Sequence, residues 1–232
     1  MEFKPICVTV CCLGLYLTIV GGLPLDSPPN NQNLITPAYR LIVLQVGYAF
    51  ENPDGNYVAD GSITLLKGNL TVLVDNGGPN DAHYLIAAME AHGVAPAQVD
   101  VVVGTHGHSD HIGNLNLFPR AKFIVNYDVN ERHVYFYHNF SAGPLILDDN
   151  LSVMATPGHS GSDVSVVAKN TQYGKVLVAG DLFESGNDIN DPSLWQSVSL
   201  MPDVQEKSRK ACLDMNFDYI IPGHGPMFKP PK

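Results

Sequence analysis

The chain has 232 residues, of which 45% are hydrophobic and 16% are charged. So few charges argue against long disordered tails, and the length suits one globular domain behind a short N-terminal segment. The formal net charge is −10 and no stripe of Lys and Arg is present, which is unfavourable for holding a long nucleic-acid backbone.

The first 22 residues are typical of a secretory leader. Lys4 precedes an apolar span at 6–20, and Gly21 and Gly22 offer small residues for cleavage. The span is about 15 residues long, whereas a membrane-crossing helix needs ~20, so we expect a cleaved leader and no stable membrane span afterwards. An uncleaved short anchor and a mispredicted first exon are the alternatives. A leader implies the secretory pathway or the extracellular space.

The predicted organisation is a leader at 1–22, a polar linker rich in Pro and Asn at 23–38, and one domain at 39–232. Three of the four cysteines lie in the leader, so Cys212 is left without a partner for an internal disulfide. Three Asn-x-Ser/Thr triplets are available for glycans in the secretory route, at Asn69, Asn139 and Asn150.

Apolar runs predict strands and a helix in the first half of the domain. A helix is expected over 80–92, with Gly93 as its stop. The aromatic stretch 131–140 fits either an edge strand against the core or a surface that stacks a base or an acyl group. Strands are predicted at 41–48, at 62–75 as a hairpin turning at 67–69, at 99–103 and at 123–125.

The second half is richer in strands. A mostly helical segment is expected over 193–216, after a turn at 169–175. Strands are predicted at 145–147, 151–155, 164–168, 176–179 and 219–221. Periodicity alone therefore indicates a mixed α and β protein.

Residues 105–111, Thr-His-Gly-His-Ser-Asp-His, directly follow the apolar run 99–103. In an extended segment His106 and His108 point the same way, whereas Asp110 and His111 begin the next turn and face a second point. Imidazole and carboxylate groups suit Zn²⁺, so this density of donors predicts a metal site, and two directions suggest two metals. A histidine-rich surface loop without metal is the alternative.

Three further candidate ligands follow later apolar runs, each at the carboxyl end of a predicted strand. His159 follows 151–155, Asp181 follows 176–179 and His224 follows 219–221. His159 and His224 each end a Pro-Gly-His turn, in which Pro and Gly favour a tight loop.

This set of residues resembles the five-motif signature of the metallo-β-lactamase superfamily. The matching pattern is His106-x-His108-x-Asp110-His111, then His159, Asp181 and His224, with Asp75 in the first motif. The resemblance covers about residues 40 to 228. It implies an α+β fold, a single-domain four-layer αββα sandwich, and a metal-dependent hydrolase.

The resemblance also implies a role for each matching residue. One zinc ion would be held by His106, His108 and His159, and the other by Asp110, His111 and His224. Asp181 would bridge the two ions, and Asp75 would bond the loop or a ligand imidazole and fix its orientation.

The chemistry implied is hydrolysis with two Zn²⁺ per chain, with iron or manganese as open alternatives. Two zinc ions lower the pKa of a shared water to around 7, and the resulting hydroxide attacks the substrate. Asp110 would be the catalytic residue that orients the hydroxide and takes its proton.

The substrate is less constrained. Residues 105–118 most resemble a branch of the superfamily that implies an endoribonuclease on histone pre-mRNA 3′ ends, acting as a homodimer in the cytosol and nucleus. The acidic charge, the leader and the short interval from Asp181 to His224 count against RNA as a partner. One alternative is a thioesterase or lactonase of a small ester, similar to glyoxalase II. A secreted metal-binding protein without turnover is the alternative of another class.

Overall fold

The fold is seen in a computed structural model that describes residues 36–231. The predicted leader, the linker residues 23–35 and Lys232 lie outside this range, so the predicted domain bounds stay predictions. Within the described range, no helix combines the length and the apolar character needed to cross a membrane.

The described part of the chain contains four α-helices, fourteen strands and three short 3-10 helices at Pro96–Gln98, Leu115–Leu117 and Gly186–Ile189. The helices are α1 (Ala82–Ala91), α2 (Ser109–Ile112), α3 (Ser193–Gln196) and α4 (Pro202–Leu213). The strands are β1 (Arg40–Gln45), β2 (Tyr48–Glu51), β3 (Tyr57–Asp60), β4 (Ile63–Lys67), β5 (Thr71–Val74), β6 (Val101–Gly104), β7 (Lys122–Val125), β8 (Asp128–Glu131), β9 (Val134–Phe136), β10 (Leu145–Ile146), β11 (Leu151–Ala155), β12 (Val164–Thr171), β13 (Gly174–Gly180) and β14 (Tyr219–Pro222).

The strands form two large sheets and one separate hairpin. The first sheet has the order β1-β4-β5-β6-β7-β8-β9, the second has the order β10-β11-β12-β13-β14, and β2 pairs with β3 alone. The pairs β5–β6, β6–β7 and β13–β14 are parallel. Parallel pairing brings the carboxyl ends of neighbouring strands to the same edge of a sheet, which is where the candidate ligands follow.

Apolar residues on both faces of each sheet create four layers. Val72 and Val74 of β5 pack between the sheets, whereas Leu73 faces the other way onto helix α1. In the second sheet Val178 faces the inner layer, and its neighbour Leu177 faces the layer beside α4. Successive strand residues point to opposite faces, so the hydrophobic runs indicate sheets buried on both sides. The predicted αββα sandwich is confirmed.

Several predicted elements differ in extent. The strand predicted over 41–48 ends at Gln45, because the chain turns at Gly47 into the unpredicted β2–β3 hairpin. A side chain at Gly47 would collide with the backbone oxygen of Gly223, so the turn requires glycine. The turn predicted over 169–175 is shorter, since β12 and β13 extend into it.

The helix predicted over 193–216 is interrupted at 197–201. In this interval Leu200 and Met201 donate their backbone N–H groups to the carbonyls of His159 and Gly158. These bonds replace helical ones, and Pro202 then begins α4 in the position that proline favours. The interruption therefore supports the loop that carries His159.

The aromatic stretch 131–140 forms an edge of the first sheet. Strands β8 and β9 pair there, and the side chains of Tyr135 and Tyr137 are 70% and 92% exposed. Phe140 is buried and stacks on Tyr127. An edge strand is therefore observed, but β9 faces solvent rather than the core. That its exposed rings stack a base or an acyl group stays a prediction.

The last described residues return to the second sheet. Ile220 and Phe228 exchange two backbone hydrogen bonds of 2.9 Å, which close residues 221–227 into a loop that contains His224. The ring of Phe228 packs edge-on against Phe183, with the ring centroids 6.1 Å apart.

Candidate metal centre

Loops at the carboxyl ends of four strands meet at one edge of the sandwich. They follow β6, β11, β13 and β14, and they bring together all seven predicted ligands. In the first group, the ligand atoms lie within 4.8 Å of one another, and they belong to His106, His108, His159 and Asp181. A second group is equally close, that of Asp110, His111 and His224.

Three imidazole nitrogens converge in the first group. His108 Nδ1 lies 2.8 Å from His106 Nε2 and 3.0 Å from His159 Nε2. Asp181 Oδ2 lies 3.5 Å and 3.3 Å from the same two Nε2 atoms. His106 and His159 are buried, whereas His108 is exposed and borders solvent.

The second group reaches the same aspartate from the other side. His111 Nε2 lies 3.1 Å from Asp181 Oδ1, and His224 Nε2 lies 3.3 Å from Asp181 Oδ2. Asp110 Oδ2 is 3.6 Å from His111 Nε2 and 3.7 Å from His224 Nε2. Asp181 therefore contacts both groups, the position that the resemblance assigns to a bridging ligand.

The arrangement fits the dimensions of zinc sites. Ligand atoms around a tetrahedral Zn²⁺ at 2.0–2.1 Å lie about 3.3 Å apart, close to the separations seen in both groups. Among the described side chains, buried polar atoms without a hydrogen-bond partner include His111 Nε2 and Asp181 Oδ1. Buried polar atoms are rarely left unpaired in proteins, so their convergence is what a cation site requires.

The second ring nitrogen of three of these histidines faces a nearby oxygen. His111 Nδ1 lies 2.8 Å from Asp75 Oδ2, and His106 Nδ1 lies 3.2 Å from Thr105 Oγ1. His224 Nδ1 lies 3.2 Å and 3.1 Å from the backbone oxygens of Tyr48 and Asp60. Such contacts fix the orientation of a ligating imidazole.

Asp75 holds more than one part of the histidine loop. Its carboxylate also accepts hydrogen bonds from the backbone N–H and the hydroxyl of Thr105, at 2.7 Å and 2.9 Å. Asp75 has a φ of 57°, in the left-handed region that Asp tolerates better than most residues. It thus bonds both the loop and a candidate ligand imidazole.

Burial and charge set the protonation of the site. Burial holds the pKa of His106 well below its usual value, and it also lowers the pKa of His159. Both histidines are therefore neutral near pH 7, the form that binds metal. Burial alone would raise the pKa of Asp181, but His111 and His106 outweigh it and hold that pKa well below the usual range.

His111 shows the opposite balance. Burial alone would lower its pKa, but the charges of Asp181 and Asp75 outweigh it and raise the pKa well above the ordinary value. The two carboxylates therefore favour positive charge at His111, which is the kind of charge that a bound cation would supply.

The two Pro-Gly-His turns need their glycines for packing. A side chain at Gly158 would collide with Gln205 of α4, and one at Gly223 would collide with the carboxylate of Asp181. Gly158 also has a φ of +143°. These positions let α4 and Asp181 approach the backbone closely.

Side chains from α4 hold the backbone beside Asp181. Gln205 Nε2 donates to the Asp181 carbonyl at 2.8 Å, and Arg209 Nη1 donates to the Leu182 carbonyl at 2.8 Å. Arg209 also pairs with buried Asp188 at 2.8 Å, and its guanidinium lies over the Phe183 ring. This support was not predicted, because it joins residues distant in sequence.

Two acidic side chains at the site were also missed. Asp163 accepts hydrogen bonds from the backbone N–H groups of Gly158 and Ser160, and so closes the loop around His159. Glu184 is 8% exposed and its carboxylate belongs to a third group of possible ligands with Asp181 and His224. Burial and the charge of Asp181 raise the pKa of Glu184 well above its usual value.

The family model of the metallo-β-lactamase superfamily matches residues 57–224, which span the whole centre. The chain belongs to this superfamily. Metallo-β-lactamase domain-containing protein 1 of Xenopus laevis is 45% identical to the chain over 206 residues, covering 88% of the chain and 87% of the relative. The human protein of that name is 42% identical over 222 residues, covering 82% of each. The recognised family is therefore confirmed.

Solved structures of the superfamily share the fold at low identity. An N-acyl homoserine lactone hydrolase, with the product N-hexanoyl-L-homoserine bound at its catalytic metal centre, is 18% identical with a TM-score of 0.60. The superposition covers 78% of the chain and 89% of that structure. At this identity the likeness establishes the fold alone.

Proposed function

We propose that the chain is a hydrolase that works with two Zn²⁺ ions. His106, His108 and His159 hold one ion, Asp110, His111 and His224 hold the other, and Asp181 is shared. The observation that carries the proposal is the shared carboxylate, because one oxygen of Asp181 faces both groups and the other faces His111. A single-ion site would leave the second group of donors without a purpose.

Zinc suits this set of donors, since imidazole and carboxylate ligands with close to tetrahedral spacing are typical of catalytic zinc. When bound, two such ions supply a strongly polarising charge that lowers the pKa of water and stabilises a developing oxyanion. Iron and manganese are the alternative metals. Elemental analysis of the purified chain decides between them, with two zinc ions per chain expected.

Asp110 is the proposed catalytic residue. Its side chain is 23% exposed and its Oδ2 lies at the solvent side of His111 and His224. A carboxylate in that place can orient an incoming water molecule and accept its proton. The exposed His108 borders the same opening, so substrate reaches the centre from this side.

The proposed substrate is the 3′ end of histone pre-mRNA, cleaved as an endoribonuclease. The support is the similarity of 40–45% to metallo-β-lactamase domain-containing protein 1, together with the matching run at 105–118. A pair of metal ions is well suited to stabilise both the attacking and the leaving oxygens of a phosphodiester. Incubation with a labelled histone stem-loop RNA tests it, with cleavage expected that stops when zinc is removed.

The second candidate is hydrolysis of a small ester, as a thioesterase or lactonase. The observation that favours it is the β2–β3 hairpin, which presents exposed Tyr48, Phe50 and Tyr57 beside the centre and contacts His224 through the Tyr48 carbonyl. Such aromatic rings suit an acyl chain, and the net charge of −10 disfavours a long polyanion. S-lactoylglutathione and a panel of lactones test this candidate.

The outcomes separate the three functional classes. RNA left intact at physiological salt by zinc-loaded protein, with turnover of an ester, rejects the nuclease and supports the second candidate. Bound zinc without hydrolysis of either kind of substrate would instead indicate a metal-binding protein without turnover.

We also propose a homodimer that enters the secretory pathway, with the cytosol and nucleus as the alternative location. Asn69 and Asn139 are exposed and Asn150 is partly buried, so the first two are the more accessible glycan sites. Sequencing of the mature N-terminus, mass loss on glycosidase treatment and light scattering test these proposals. A retained Met1 without glycans would return the chain to the cytosol.

A further inference from the structure

The two ring nitrogens of the buried histidines at the centre face different groups. The Nε2 atoms of His106, His111, His159 and His224 all face the cluster of donors. The Nδ1 atoms of His106, His111 and His224 face oxygens of Thr105, Asp75 and the β2–β3 hairpin, at 2.8 to 3.2 Å. His159 needs an equivalent acceptor.

Glu184 occupies the corresponding place beside His159. Its Oε1 lies 3.4 Å from His159 Nδ1, and both atoms are buried without a hydrogen-bond partner among the described residues. Two unpaired polar atoms at this distance need only a small adjustment to bond each other, and leaving both unpaired would be costly.

The backbone of Glu184 is fixed on both sides. Its N–H donates to Asp188 Oδ2 at 2.8 Å, and its carbonyl accepts from the N–H of His224 at 2.7 Å. Asp188 is in turn paired with Arg209. The carboxylate is therefore held at the boundary between the two groups of ligands by a rigid support.

We propose that Glu184 is a positioning residue that accepts the Nδ1–H of His159 and so directs the His159 Nε2 lone pair at the ion in the first group. The inference rests on the proposed metal centre and adds a residue to it. Nothing in the five-motif signature assigns this position. Glu184 would orient the ring of His159 as Asp75 orients the ring of His111.

A competing role for Glu184 is direct ligation. Its carboxylate lies within 4.8 Å of ligand atoms of Asp181 and His224, with Oε2 4.0 Å from His224 Nε2. The shorter approach to His159, and the absence of any other described acceptor for His159 Nδ1, favour positioning. The two roles differ in what an amide replacement preserves, because an amide oxygen accepts a hydrogen bond but is a weak zinc ligand.

The test compares Glu184→Gln, Glu184→Ala and the control Glu206→Ala, an exposed glutamate on α4. Two quantities are measured on the full chain: zinc affinity by competition with a chelator, and the ring ¹⁵N and N–H resonances of His159. Glu184→Ala is expected to weaken zinc binding about 10- to 100-fold, the usual cost of losing such a partner, and to remove the slowly exchanging Nδ1–H signal. Glu184→Gln is expected to keep the signal and most of the affinity.

Equal loss of affinity in both Glu184 variants with the Nδ1–H signal retained would overturn positioning in favour of ligation. No change in either variant would also overturn it. If the unmodified chain binds no zinc, the proposed metal centre is rejected. The hydrogen bond between Glu184 and His159 can still be tested, because the ring ¹⁵N shifts of His159 in metal-free protein show which ring nitrogen carries the proton. In metal-free protein, an Nδ1–H signal that is lost only in Glu184→Ala supports the positioning role. A proton on Nε2 of His159 in the unmodified chain rejects that role.

Discussion

The two sheets contribute ligands in different ways. The segment after β6 carries four donor residues within six positions, and Asp75, directly after the adjacent strand β5, fixes it. The second sheet contributes three loops with one ligand each. Asp163 closes the His159 loop from within, whereas α4 and the β2–β3 hairpin are distant in sequence from the loops that they hold. The ligands of the first region therefore come from one short segment, whereas those of the second come from three loops that only tertiary packing brings together.

Removal of the residue that joins the two regions is expected to have the largest effect. Asp181→Ala leaves both groups of histidines without their shared carboxylate, so activity should fall by more than the roughly 10- to 100-fold that loss of an outer partner costs, and zinc content should fall below two per chain. Turnover on the identified substrate and elemental analysis measure this. Asp149→Ala, at an exposed position, is the control. Two bound zinc ions in Asp181→Ala would contradict a shared ligand.

The dependence of the second region on packing is tested at Arg209. Arg209→Ala leaves Asp188 as a buried, unpaired charge and frees the carbonyl of Leu182. We expect a loss of about 3–5 kcal/mol in the free energy of unfolding, the usual cost of breaking a buried pair. The neighbouring exposed Lys210→Ala should stay within about 0.5 kcal/mol of the unmodified chain in urea titrations. Equal effects would remove the argument.

The support of the first region is tested at Asp75. Asp75→Asn keeps a side chain that tolerates the positive φ but removes the carboxylate from His111 and Thr105. Zinc affinity should fall about 10- to 100-fold, with a smaller change in stability than that of Arg209→Ala. The matched control is Asp100→Asn, directly before β6, where the carboxylate accepts a hydrogen bond from the backbone N–H of Thr71. Unchanged zinc affinity would show that the loop orders itself.

The smallest effect near pH 7 is expected at Cys212, in the layer between α4 and the second sheet. Burial raises the pKa of this thiol from 9.0 to about 12. Because the folded-state pKa is the higher one, stability is fully present below pH 9 and declines as the pH rises from 9 towards 12, by at most about 1.4 kcal/mol per pH unit. Urea titrations across this range should lose that part of the slope in Cys212→Ala. An identical slope would place the thiol in contact with solvent.

The ligands of both regions could be predicted from the sequence, but the residues that support the ligands of the second region could not. His159, Asp181 and His224 could be found because each directly follows an apolar run, and strand ends meet in a layered sheet fold. Glu184 could not be singled out, since its burial beside His159 exists only after α4 and the loop after β13 have packed. The break at 197–201 was missed for the same reason, because its hydrogen bonds go to the His159 loop.

The pairing of Ile220 with Phe228 has a consequence for engineering the chain. His224 lies in a closed loop, and the backbone at Phe228 forms the far side of the closure. Ending the chain before Phe228 would remove the two hydrogen bonds that close this loop, and His224 would lose that support. The strands of both sheets would stay intact. An affinity tag is therefore better placed after Phe228 and separated from it by a spacer than fused directly to this loop.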